Sequence, residues 1–280
     1  MEIRFNNVDY VYNINTPFEK IALLHINLEF KPGKINGIIG TGGSGKTTLI
    51  ELINALKVPI KGNVKVDNFS VDNKRIITKI NHLRRSIGLV FQYPEEQFFC
   101  KTVREELEFG LIHFRLKADK SIINQSLAMV GLDDSYLERN PFNLSSGEKR
   151  KVAIASILSF NPKVIILDEP TLGLDFQGKK ELVKLLRSLK KDYKKTIIIV
   201  SNDTDLLLEI SDYVFVIDKA KIVTEGTKYE VFNNPILKEI GIKIPKIIEF
   251  EQMILNKKKI KLRATDNIND LIKDVYRRGQ

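Results

Sequence analysis

The chain predicts an α/β fold: a mostly parallel sheet with an antiparallel β edge, an inserted helical subdomain and a carboxy-terminal extension. Three observations carry this. Short apolar, β-branched runs recur at INGIIG (35–40), VIIL (164–167) and TIIIV (196–200). Segments of helical period lie between them, such as KTTLIELINAL (46–56) and KKELVKLLRSLKK (179–191). The stretch from 93 to 160 holds charged helix formers, TVREELEFGLIHF and INQSLAMVGL among them, and no convincing strand. Continuous apolar strands alternating with amphipathic helices imply a parallel sheet covered on both faces.

In chain order, INGIIG ends in a glycine loop that runs straight into the first helix, giving strand, loop, helix. YVFVID, KIVTEG and TKYEVFN (213–233) read as two edge strands and a closing helix. After Pro235 comes a lysine-rich tail with helical potential, LKEIGIKIPKIIEFEQMIL and DNINDLIKDVYRR. The division expected is a cassette over 1–235, with the helical subdomain at about 93–160, and an extension over 236–280.

Composition sets outer bounds. Hydrophobic residues at 43% and charged residues at 29% suit a folded chain rather than a disordered one. One cysteine, Cys100, excludes an internal disulfide, and three scattered histidines leave no zinc-site spacing. The longest apolar runs are far too short to span a bilayer, so membrane association is expected to run through a partner or the surface. Net charge is +10. Residues 241–280 hold ten Lys or Arg against five Asp or Glu, so half of the excess belongs to the tail. The run NKKKIKLR (256–263) reads as a solvated helix face or a contact with anionic lipid.

The chemistry starts at residues 40–48, GTGGSGKTT, which match G-x-x-x-x-G-K-[ST] with strand before and helix after. Gly40, Thr41, Gly42, Gly43, Ser44 and Gly45 can wrap phosphates with backbone amides, backed by a helix N-terminus. Lys46 can reach the β- and γ-phosphates, the Thr47 hydroxyl can ligand Mg²⁺, and Thr48 follows in the same turn. A phosphate cradle alone leaves kinases, GTPases, recombinase-like motors and transporter ATPases open. VIILDEP (164–170) narrows the choice: Asp168 can hold the magnesium shell and Glu169 can polarise an attacking water. LSSGEKRKVAIASIL (144–158) puts a serine and glycine turn before a long helix, either an anion-binding turn or an ordinary N-cap by Ser145 or Ser146.

Gly40 to Thr48, Gln92, Leu144 to Glu148, Leu167 to Pro170 and Gly173-Leu174-Asp175 occur in the order of an ATP-binding cassette ATPase. The resemblance covers roughly residues 1–233 and implies a RecA-like P-loop core. No N-K-x-D base-reading element of a GTPase is present. VDYVYNINTPFEKIALLHINLEF (8–30), GLVFQYPEEQFF (88–99) and GIKIPKIIEF (241–250) further resemble the energy-coupling-factor family, paired ATPases that drive uptake of vitamins and transition-metal ions. TPFE and PFNLSSGEKRKVAIA are most similar to the second of its two paralogous, cobalt-import-type ATP-binding subunits.

The resemblance implies ATP and Mg²⁺ as ligands. Tyr12 would stack on adenine, with Tyr10 close enough to compete for that role; Thr47, Gln92 and Asp168 would surround the metal; Glu169, Gln92 and Asn202 would be catalytic. Ser145, Ser146, Gly147 and Glu148 would face ATP held by a partner chain, and Asp175 would lie on the dimer seam. The partners implied are a paralogous ATPase, a transmembrane scaffold and substrate-binding membrane subunits at the cytoplasmic face of the cell membrane, with no nucleic acid. Phe98 and Phe99 would line a groove for the scaffold or pack in the helical subdomain. The competing reading is a soluble or DNA-associated cassette not linked to transport. Only 52 residues separate Gln92 from Ser145, too few for the coiled coil of a DNA-maintenance cassette.

Two positions depart from the family pattern. Ser146-Gly147-Glu148 stands for Gly-Gly-Gln, and Asn202 stands where the family places a switch histidine. An amide donates a hydrogen bond but cannot become cationic. The expectation is a site that binds ATP firmly and hydrolyses it slowly.

Overall fold

The computed structural model describes residues 1–73, 80–260 and 262–278. A six-stranded sheet forms the centre, in the order β10-β9-β3-β8-β7-β6. Its strands are β3 (Ile35–Gly40), β6 (Ile87–Val90), β7 (Val164–Asp168), β8 (Thr196–Val200), β9 (Tyr213–Asp218) and β10 (Lys221–Thr227). All neighbours pair in parallel except β9 and β10.

The apolar runs are continuous because successive side chains enter two different cores. Ile35, Ile39, Ile165, Leu167, Ile197 and Ile199 pack with the helices on one face. Ile38, Val164, Ile166, Ile198 and Val200 pack on the other, against helix α1 (Lys46–Ile53) and a second sheet.

That second sheet is antiparallel and was not foreseen as a separate layer. Its order is β2-β1-β4-β5, from β1 (Ile3–Tyr12), β2 (Lys20–Phe30), β4 (Lys61–Val66) and β5 (Phe69–Val71). The β1–β2 ladder shifts register after Phe5, after Val8 and after Tyr10, and Asn7 adopts a left-handed backbone with φ 47°. Those bulges break the alternation that marks a strand in sequence.

A second correction concerns YVFVID. It is not an edge strand: β9 lies between β3 and β10 and pairs Gly40 with Ile217. Only β10 is the antiparallel edge. The closing helix after it is α8 (Lys228–Phe232).

After the short helix α2 (Ile80–Ser86) and strand β6, the chain runs through α3 (Val103–His113), α4 (Lys120–Met129) and α5 (Ser146–Ser159), with no strand before β7. Helix α6 (Phe176–Lys191) buries Leu182, Val183, Leu186 and Leu189, one stripe at helical spacing. It connects β7 to β8, and α7 (Thr204–Ile210) connects β8 to β9. The tail forms α9 (Ile236–Glu239), α10 (Lys246–Lys258) and α11 (Ile268–Arg278). Of the basic run at 256–263, Lys257 and Lys258 end α10, and Lys261 lies outside the described residues. Among the described residues, no helix is long and apolar enough to cross a membrane.

Candidate active site

The carboxyl ends of β3 and β7 carry the site, the crevice position that an open parallel sheet makes available. Gly40 closes β3, the loop Thr41–Gly45 turns, and Lys46 begins α1. Gly45 has φ 110°, and a Cβ there would stand 2.2 Å from the Ala22 carbonyl oxygen. Only glycine fits that close approach of loop to β2. Thr41 Oγ1 donates to Asp218 Oδ1 at 2.7 Å, tying the loop to the end of β9. Ser44 Oγ is buried with no hydrogen-bond partner among the described residues.

Lys46 Nζ donates to the carbonyls of Gly40 and Thr41 at 2.8 and 2.9 Å. Burial lowers its pKa, with Glu169 and Asp168 opposing. Thr47 Oγ1 donates to Asp168 Oδ2 at 3.1 Å. Asp168 is 4% exposed, and burial raises its pKa against the Thr47 hydrogen bond and the Lys46 charge.

Glu169 follows with a left-handed backbone, φ 43°, its N–H donating to the Val200 carbonyl at 2.8 Å. A non-glycine residue held there stores strain of roughly 1–3 kcal/mol, a feature that clusters at functional sites. Its Oε1 accepts the Asn202 main-chain N–H at 3.0 Å, and its Oε2 accepts the Ser201 hydroxyl at 3.3 Å. Burial raises its pKa, the Asn202 hydrogen bond opposing. A carboxylate with raised proton affinity, oriented by two donors, is equipped to accept a proton.

The Asn202 side chain is exposed and makes no hydrogen bond among the described residues, so only its backbone joins the cluster. Gln92 enters likewise through its main chain, its carbonyl accepting Arg150 Nη2 at 2.9 Å. Arg150 is 3% exposed, and its Nε and Nη1 find no partner among the described residues.

Tyr12 reaches the loop's helix: its hydroxyl and Thr48 Oγ1 lie 2.8 Å apart. Tyr10 meets the Tyr12 ring edge-on at 5.0 Å and packs against the core between the two sheets. Lys57 Nζ stands 5.3 Å from the Tyr12 ring centre and pairs with Glu51. Tyr12 therefore has the direct link to the phosphate loop.

The turn at 145–148 lies apart, with no hydrogen bond to residues 40–48 among the described residues. Ser145 caps α5 in a reciprocal box with Glu148, and Ser146 Oγ donates to the Gly173 carbonyl at 3.5 Å. Gly147 adjoins Leu174, and Asp175 caps α6 by accepting the Gly178 N–H at 2.7 Å. Ser145, Ser146 and Asp175 are exposed. Phe98 is 6% exposed in the helical core, which removes it from any surface groove; Phe99 is 60% exposed.

Sequence reasoning missed Ser201, Asp218, Arg150 and Tyr136 as members of these networks. Ser201 and Arg150 had a signal: one stands in VSND beside Asn202, and the other is a lone arginine on the buried side of VAIASIL. Asp218 and Tyr136 had none: Thr41 meets Asp218 from the other end of the chain, and Tyr136 reaches Glu148 only because the loop between α4 and α5 folds back on itself.

The residues fit a magnesium nucleotide. A buried hydroxyl with no partner among the described residues, an ammonium held by two loop carbonyls, and open space beside Gly42 all suit a polyphosphate. One hydroxyl and one carboxylate suit Mg²⁺, which takes few protein ligands.

Comparison with known proteins agrees. Residues 23–172 match the family model of the ABC transporter. The energy-coupling factor transporter ATP-binding protein EcfA2 of Spiroplasma kunkelii is 41% identical over 278 residues, covering 96% of this chain and 90% of the relative. The protein of that name from Clostridium perfringens is 40% identical, covering 92% and 91%. Among solved structures, cbiO1 of Clostridium perfringens, described as part of the ABC transporter complex cbiONQ, superimposes with TM-score 0.73 at 34% identity, covering 89% of this chain and 98% of that one. The ATP-binding cassette MJ0796, solved as a dimer bound to ADP and Pi, gives TM-score 0.74 at 28% identity, covering 81% and 98%. Matched by that family model over more than half its length and by these relatives over more than nine tenths, the chain belongs to the ABC transporter family and, within it, to the energy-coupling factor transporter ATP-binding proteins.

Proposed function

We propose that this chain binds and hydrolyses ATP as one of two paralogous ATPases that power an energy-coupling-factor importer of vitamins or transition-metal ions. The observation that carries the proposal is the split of the machinery. Lys46, Thr47, Asp168 and Glu169 converge, while Ser145 and Gly147 make no hydrogen bond with them among the described residues, and Ser145 is exposed. A second chain, docked head to tail, would bring its own signature turn to this loop and offer its own loop to this turn.

In this reading the amides of Thr41–Gly45, Lys46 and Thr48 hold the triphosphate, and Tyr12 stacks on adenine. Thr47, Asp168 and Gln92 hold Mg²⁺, which when bound neutralises phosphate charge. Glu169 takes the proton of the attacking water at an oxygen already aligned by Asn202 N–H or Ser201 Oγ. Asn202 gives this site an uncharged donor in place of a switch histidine, which sets a slow turnover.

The same reading assigns residues 1–235 to the cassette, with a helical subdomain at about 93–160 that faces a transmembrane scaffold and its substrate-binding subunits. Residues 236–280 contact the paralogous ATPase: α11 exposes Ile268, Ile272 and Tyr276 while Leu271 packs inward. The chain then works peripherally at the cytoplasmic face of the membrane.

Co-expression with the paralogous ATPase tests this. ATP is expected to drive stable pairing of the two chains, with Mg²⁺-dependent hydrolysis reduced by Glu169→Gln. No affinity for adenine nucleotide and no ATP-dependent pairing would sink the proposal.

A further inference from the structure

Ser145 has one hydroxyl proton, and Glu148 holds it: Ser145 Oγ donates to Glu148 Oε2 at 2.7 Å. The same carboxylate oxygen accepts the Ser145 main-chain N–H at 2.9 Å. Glu148 N–H returns to Ser145 Oγ at 3.4 Å, closing a capping box. Both strong donors of Ser145 are therefore spent on a neighbour three residues away.

A box alone explains part of this. Thr227 and Glu230 at the start of α8 repeat it, hydroxyl contact included, at 2.8 Å. The difference is a third residue. Tyr136, from the short turn Asp134–Tyr136 after α4, donates its phenol to Glu148 Oε1 at 2.8 Å. The Arg139 guanidinium lies 4.0 Å from the centre of the Tyr136 ring. Hydrogen bonds from Ser145, joined by the one from Tyr136, hold the Glu148 carboxyl down at about 2. Glu148 is thus an ionised acceptor gripped at both oxygens.

A hydroxyl proton serves one acceptor at a time. An anion approaching this turn meets the Ser146 and Gly147 N–H groups, which make no hydrogen bond among the described residues, but finds the Ser145 proton taken, with a carboxylate behind it. We propose that Tyr136 and Glu148 are positioning residues that latch Ser145, so that the turn engages a polyphosphate held by the partner chain only after the Ser145 hydroxyl leaves Glu148. The latch rests on the head-to-tail pairing proposed above. Its consequence is a higher ATP requirement at the site that this turn completes, with little effect on the chemical step once that site is closed.

The test uses the complex with the paralogous ATPase, this chain carrying Glu169→Gln so that turnover reports the partner's Walker site. Tyr136→Phe removes one hold on the carboxylate without changing charge, and is expected to lower the half-saturating ATP concentration about threefold at nearly constant kcat. Glu148→Gln is expected to lower it further, up to about tenfold, and Ser145→Ala is expected to erase both gains. Thermal melting of each variant checks the fold. If Glu148→Gln gains affinity but Tyr136→Phe does not, charge repulsion alone acts and the latch is overturned. Unchanged values in both variants overturn it too. If the complex without the turn substitutions shows no ATP-dependent pairing, the pairing itself fails and takes the latch with it.

Discussion

The main-chain N–H of Asn202 donates to Glu169 Oε1, so Asn202 orients this carboxylate through its backbone, while its side chain makes no hydrogen bond among the described residues. Asn202→His leaves that anchor in place and adds a donor that can become cationic. Turnover at this chain's own site is expected to rise, toward the roughly 100-fold that one transition-state donor contributes. Single-site turnover, with the partner's base removed, checks it, and an unchanged rate would retire the slow-site assignment.

Glu169→Gln is expected to cut turnover at least about 100-fold while ATP binding persists. It also carries a pH signature. A carboxyl whose pKa burial raises holds its proton more tightly folded than unfolded, so its contribution favours folding at low pH and is lost as pH climbs through the folded value. The nucleotide-free variant is therefore expected to melt a few degrees higher than the parent at neutral pH. That gap should close as pH falls through the carboxylate range; a gap that widens on acidification would contradict the burial assigned to Glu169.

Gly45→Ala places a Cβ 2.2 Å from the Ala22 carbonyl at a left-handed backbone position. Loss of about 2 kcal/mol or more of stability is expected, together with weakened nucleotide binding. Urea unfolding at equilibrium measures the first and titration with ATP the second.

Tyr12→Phe keeps the ring and removes the hydroxyl that meets Thr48, whereas Tyr12→Ala removes the stacking surface. ATP affinity is expected to fall only about two- to threefold in the first and by roughly tenfold or more in the second, with Tyr10→Ala between them or neutral. A larger loss from Tyr10→Ala than from Tyr12→Ala would reassign adenine to Tyr10.

The strands β3, β7 and β8 were legible almost residue for residue. Burial on both faces gives unbroken apolar runs with glycine or charge at their ends. The amino-terminal sheet was not, because bulges around Asn7 interrupt the period that reveals a strand. The interior place of YVFVID was hidden as well: its neighbour β10 follows at once, but its other neighbour, β3, lies far back in the chain. Motif letters singled out Lys46, Thr47, Asp168 and Glu169 because each lies within a short pattern, and the fold then brings the two patterns together at the Thr47–Asp168 hydrogen bond. Asp218 and Tyr136 act on groups brought near only by folding, which no short pattern encodes. Glu148 was legible as a departure from the family pattern, whereas the hydrogen bonds of its carboxylate with Ser145 and Tyr136 were not.

The position of β3 between β8 and β9 sets an order of events during synthesis. Gly37 pairs with Ile199 on one side and Val214 on the other, so the strand that ends in the phosphate loop emerges early from the ribosome and waits for both flanks. Such long-range closure is slow and leaves apolar edges open in the interval. Nascent chains halted before residue 213 should hold no nucleotide, whereas chains extended past β10 should acquire it abruptly.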